Sequence, residues 1–242
     1  MVRSKTDKTI GFLAGRWAGS FFLMIGLVGA AACTSKPVSE PAAWAGAAIA
    51  PAEQPAPPDL RAVIVALGDS LTAGYGVEPR WNYPARLQSK IDSEGYSYRV
   101  VNAGVSGDTS AQGLARLDAI RSLRPAIVIV ELGANDGLRG IPAIETRKNL
   151  EEIVTRLDAS GAKVVLAGME LPPNYGPEYT RQFHDLFPAL ANAHRTGLVP
   201  FFLQGVGGIP GLNQDDGIHP TAEGYGVVTE NVWKVLQPLL RK

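Results

Sequence analysis

Cysteine occurs once in the 242 residues, at Cys33, which excludes an intramolecular disulfide framework and any cysteine-based metal site. Neither sign of charge is in excess: 23 Lys and Arg against 23 Asp and Glu leave a formal net charge of +0. A basic nucleic-acid face and an acidic solvating tail are therefore not expected, and no nucleic-acid partner is either. Histidine is scarce, with 3 in the chain, so a general base must be His184, His194 or His219. No internal repeats are present. What the chain does have is apolar content, 45% of residues, enough for one sizeable core and too little for two large domains.

Three segments differ in composition. Arg3, Lys5, Lys8 and Arg16 precede an uncharged run from Trp17 to Ala32. This pattern, a basic region followed by an apolar one shorter than the about 20 residues of a membrane span, predicts an export signal over residues 1–33. Cys33 directly follows Ala30-Ala31-Ala32, a placement that resembles a bacterial lipobox, although Ala30 stands where a leucine is usual. Lipidation of Cys33, with anchoring to a membrane, and ordinary cleavage after the alanines are the two readings. Residues 34–59 are rich in Ala, Pro, Ser and Glu and read as a disordered tether. The folded domain is then expected over 60–242, in an exported, periplasmic and membrane-anchored protein.

From Arg61 onward, apolar β-rich runs alternate with amphipathic stretches. Strands are expected at 62–67, 98–102, 127–132, 163–167 and 198–199, and helices at 83–91, 109–123, 144–157, 183–193 and 222–240. Continuous apolar runs such as Ala62–Leu67 and Ile127–Leu132 suit strands buried on both faces. The alternation predicts an α/β fold with a five-stranded parallel sheet between helix layers. Ligands in such sheets sit beyond the carboxyl ends of the strands. The polar, glycine-rich segments fall there: Gly68-Asp69-Ser70, then 103–108, then 133–137.

A serine hydroxyl becomes a nucleophile when a histidine takes its proton and an acid orients that histidine. His184 and His194 lie in or at the end of a helical stretch, where packing or solvent-facing roles suit them. His219 sits in Asp215-Asp216-Gly217-Ile218-His219-Pro220, with a carboxylate three residues before it. Taken alone, that pair also fits a helix-capping loop, and Ser70 also fits a helix N-cap or turn. A tetrahedral intermediate further needs donors aimed at its oxyanion. The Ser70 and Gly104 N–H groups and the Asn135 amide, at three neighbouring strand ends, are the candidates.

The blocks at 68–76 (GDSLTAGYG), 102–110 (NAGVSGDTS), 131–140 (ELGANDGLRG) and 215–220 (DDGIHP) resemble the SGNH (GDSL) hydrolase family, in its arylesterase, thioesterase I and lysophospholipase branch. The likeness covers the chain from about Arg61 to its end. It implies a flavodoxin-like three-layer α/β/α fold and hydrolysis of carboxylic esters or thioesters through an acyl-enzyme. It also implies Ser70 as nucleophile, Asp216 and His219 as the activating pair, and Ser70, Gly104 and Asn135 as the oxyanion hole. No cofactor or metal is implied. Segments 136–142 and 171–177 are expected to line the acyl pocket. A carbohydrate O-acetyl esterase would need sugar-stacking aromatics at the rim, for which Tyr75, Trp81 and Tyr175 are the candidates; a non-catalytic lipid-binding lipoprotein is the remaining alternative.

Overall fold

The computed structural model describes residues 59–242. The expected export signal over 1–33 with Cys33, and the tether over 34–59 up to its last residue, lie outside the described residues.

Five parallel strands form one sheet: β1 (Ala62–Gly68), β2 (Tyr98–Gly104), β3 (Ile127–Glu131), β4 (Lys163–Ala167) and β5 (Gly197–Val199), in the spatial order β2-β1-β3-β4-β5. Helices cover both faces. On one, α2 (Tyr83–Ser93) packs with α8 (Ala222–Leu236). On the other, α6 (Ala143–Asp158) packs against α3 (Ser110–Ala115) and α7 (Pro177–His194). Burial on both faces explains why β1 and β3 carry nearly unbroken apolar runs: every residue of β3, and β1 from Val63 onward, is buried. The edge strand β2 is mostly half-buried and reads less clearly in sequence.

From β1 the chain moves outward to β2, then crosses back over β1 to pair β3 on its other side. The two crossovers diverge at the carboxyl ends of β1 and β3, and a doubly wound sheet opens a crevice at such a point. Short helices leave both strands there: α1 (Ser70–Ala73) after β1 and α5 (Ala134–Leu138) after β3.

Three elements depart from expectation. The helix expected over 109–123 is two helices, α3 and α4 (Leu117–Ser122), broken at Arg116 (φ −101°, ψ 10°). Arg116 there donates from Nε to Asp108 Oδ2 (2.7 Å) and from a terminal nitrogen to the carbonyl of Gly68 (2.9 Å). Helix α7 starts at Pro177, six residues before the expected Phe183, because proline at the first turn loses no hydrogen bond. The last helix stops at Leu236 and tightens into a 3₁₀ turn over Gln237–Leu239, since Pro238 has no N–H to continue it.

Candidate active site

Ser70 is the first residue of α1, capped by Asp69, whose side chain accepts the Leu71 N–H. Its Oγ lies 2.8 Å from His219 Nε2. His219 Nδ1 lies 2.7 Å from Asp216 Oδ2, while Asp216 Oδ1 accepts the N–H groups of Ile218 and His219, each at 3.0 Å. Gly217, at φ +74°, makes the bend that folds this carboxylate back onto the loop. The Asp216–His219 unit is thus held by its own backbone. Tyr75 packs on the imidazole, ring centroids 4.8 Å apart.

Partial burial works to raise Asp216, but the N–H groups of His219 and Ile218, then the His219 ring, outweigh it and hold the carboxyl down at about 2. It is therefore ionised wherever the histidine functions, and fixes the Nδ1–H tautomer with Nε2 facing Ser70. His184 instead pairs with Asp185 on the surface, and His194 lies near Glu151. Neither meets Ser70.

The expected oxyanion donors fare differently. The Ser70 N–H, at the first turn of α1, donates to no group among the described residues. Asn135, on α5, arrives at the same crevice, yet its amide donates to Asp69 Oδ2 and to the Asp108 carbonyl, both at 3.0 Å. It must share or turn one N–H to meet an oxyanion. Gly104 departs from the role expected of it. Its N–H donates to Asn102 Oδ1 (2.9 Å), and its missing Cβ serves packing, because a Cβ would stand 2.2 Å from the Ala73 nitrogen. Three residues on, the Gly107 N–H donates to no group among the described residues, and Gly107 adjoins the Asp108 carbonyl that receives the Asn135 amide.

The crevice opens into a pocket of about 440 Å³ reached by Asp69, Ser70, Asn135 and His219. Of the two segments expected to line it, one contributes Leu138 and the other Leu171, Pro172 and Pro173. Phe201, Leu203, Gly207 and Gly208 also line it. That stretch has no period or motif by which sequence would mark it. Asp136 instead is buried, accepting the Ser110 N–H (2.8 Å) and hydroxyl (2.5 Å) and so tying α5 to α3. None of Tyr75, Trp81 and Tyr175 lines the pocket. The guanidinium groups of Arg80 and Arg86 each stand 4.9 Å from the centre of the Trp81 ring, and the Tyr175 hydroxyl donates to the Leu138 carbonyl.

A hydroxyl, an imidazole and a carboxylate in one hydrogen-bonded chain at the strand ends of a parallel sheet are the arrangement of a serine hydrolase. Residues 66–227 match the model of the GDSL-like Lipase/Acylhydrolase family. The chain is 49% identical to esterase TesA of Pseudomonas aeruginosa over 178 residues, covering 73% of this chain and 89% of that one. It is 42% identical to thioesterase 1/protease 1/lysophospholipase L1 of Escherichia coli, over 73% of this chain and 84% of that one. The crystal structure of TesA superposes with a TM-score of 0.72 over 74% of this chain and 99% of that one. The chain belongs to the GDSL-like lipase/acylhydrolase family, and it is a carboxylic ester hydrolase.

Proposed function

We propose that the protein hydrolyses carboxylic esters, and thioesters of the same acyl groups, through an acyl-enzyme on Ser70. His219 Nε2 takes the Ser70 proton as Oγ attacks the acyl carbonyl, and Asp216 stabilises the resulting imidazolium. The oxyanion meets the Ser70 N–H, one N–H of Asn135 and, in place of Gly104, the N–H of Gly107. His219 then passes its proton to the departing alcohol or thiol. Water, deprotonated by the same histidine, attacks the acyl-enzyme and releases the acid. The observation that carries this reading is the unbroken chain Ser70–His219–Asp216, with contacts of 2.8 and 2.7 Å at the mouth of the pocket.

The lining of Leu71, Leu138, Met169, Leu171, Phe201 and Leu203 suits an acyl chain better than a sugar, which calls for stacking aromatics and polar partners. The esterase reading is therefore preferred to a carbohydrate esterase. Labelling with a fluorophosphonate probe tests the nucleophile: the wild type should label and Ser70→Ala should not. Equal labelling of the two would overturn the assignment.

The basic and apolar start of the chain supports export to the periplasm, and Cys33 after three alanines supports a lipid anchor on a tether of about 26 residues. Mass spectrometry of the mature N-terminus reads this directly. A diacylated or triacylated Cys33 is expected, and an unmodified one would refute the anchor.

A further inference from the structure

Two carboxyl groups that the chemistry above does not use lie directly behind the nucleophile. Asp69 and Glu131 are both 0% exposed. Asp69 Oδ1 accepts the Leu71 N–H (3.0 Å) and Oδ2 accepts the Asn135 amide (3.0 Å). Glu131 Oε2 accepts the Thr72 hydroxyl (2.7 Å) and, at 3.4 Å, the Asp69 N–H, while Oε1 has no partner. Gly68 makes room for this cluster, because a Cβ there would stand 2.0 Å from Thr72 Oγ1 and 2.6 Å from Glu131 Oε2.

No cation among the described residues is paired with either carboxyl. The titratable groups facing them are Tyr83 from α2, Tyr225 from α8 and His219 from its loop, and the two phenols stay neutral. Arg116 reaches the Gly68 carbonyl but pairs with Asp108. Two carboxylates with no exposure, one lying 3.4 Å from the other's backbone N–H, cannot both be ionised, so the pair retains a proton. Which oxygen carries it follows from the donors present. Asp69 has a donor on each oxygen. Glu131 has a bare buried oxygen, which costs more in a charged carboxylate than in a neutral acid.

We propose that Asp69 and Glu131 hold one proton between them, on Glu131, and that the ionised Asp69 is a positioning residue for the Asn135 amide. Burial first, then the charge of Asp69, pushes Glu131 well above the usual carboxylate range. Burial also raises Asp69, to about 6, a rise limited by the Leu71 N–H and by hydrogen bonds with Glu131 and Asn135. A charged acceptor on one amide hydrogen and the Asp108 carbonyl on the other fix the plane of Asn135 before substrate arrives, which is the preorganisation an oxyanion donor requires. The positioning half rests on the reading of Asn135 as that donor; the shared proton does not.

Infrared spectroscopy and a mutant cycle separate the two. At neutral pH the wild type should show a protonated-carboxyl band that E131Q removes and D69N retains. Its absence from the wild type would overturn the shared proton without reference to activity. E131Q keeps the shape and a hydrogen donor, and should retain kcat within about threefold, whereas D69N turns an amide toward the Asn135 amide and should lower kcat about tenfold or more with KM nearly constant. A folded E131Q that loses activity as D69N does would overturn the assignment of the proton. Combined with N135A, D69N should add little further loss; fully additive losses would show that Asp69 does not act through Asn135. If N135A itself were fully active, the oxyanion reading and the positioning role would both fall, while the carboxyl band would still decide the shared proton.

Discussion

Ser70 stands on side chains that water does not reach, whereas His219, its proposed base, stands on a loop that water does. Asp69, Thr72 and Glu131 behind the nucleophile are fully buried, and their hydrogen bonds join β1, α1 and β3. The Asp216 side chain is 38% exposed, and its partners all lie within three residues of it. One half of the site is set by the sheet, over contacts spanning 59 to 66 positions in sequence. The other half is a local unit that the final helix carries into place. Disturbing the first should therefore be felt in stability as well as turnover, and disturbing the second in turnover alone.

The largest effect expected is that of His219→Ala, which removes the proposed base and should lower kcat on a p-nitrophenyl ester on the order of 10⁴-fold while leaving the melting temperature almost unchanged. A large loss of stability would erase the contrast between the halves. Asp216→Ala should cost about 10²–10⁴-fold in kcat, again with little change in unfolding. Asn135→Ala should cost about 10²–10³-fold.

The pH dependence sharpens the same comparison. Asp216, held down at about 2, adds only a small, solvent-screened contribution to stability, since its side chain is 38% exposed, and loses it as pH falls from the ordinary aspartate value of 3.8 through about 2. Loss of activity in mildly acidic buffer therefore reports another group. Asp69 and Glu131 behave oppositely. Burial raises both, so the folded chain keeps a proton that the unfolded chain releases, and stability falls as pH rises from 3.8 through about 6 and beyond. The melting temperature of E131Q should fall less steeply with pH than that of the wild type, and parallel curves would rule out a titrating Glu131. The smallest effect is that of Ile218→Ser, on the exposed rim beside His219, which should raise KM for long-chain esters about fivefold at constant kcat.

The buried and exposed halves were also unequally legible. Asp216, Gly217 and His219 form one contiguous motif, and Ser70 ends an apolar run, so the elements and the triad candidates follow from sequence. The glycine loop after β2 contains both Gly104 and Gly107, and no local rule says which N–H is already engaged. That depends on the Asn102 side chain, placed by its own bond to the Thr72 carbonyl (2.9 Å). The break at Arg116 was invisible for a similar reason, since its acceptor on Gly68 lies 48 residues away. Glu131 did leave a sign, a lone carboxylate closing an apolar strand. Its partners come from another strand end, so only the fold reveals them. The far wall of the pocket, from Phe201 to Gly208, comes from a stretch without periodicity.

The guanidinium of Arg116 touches the carbonyl that ends β1 and the carboxylate that follows β2. Lysine has one charged nitrogen and lacks the flat fork that spans two acceptors set apart. Arg116 accordingly fastens the nucleophile turn to the glycine loop with a charged fork, beside the amide ties that Asn102, Asn135 and the Val105 N–H make between the same two segments. A directed-evolution library for new acyl groups can vary the pocket wall freely, but should leave this one arginine untouched.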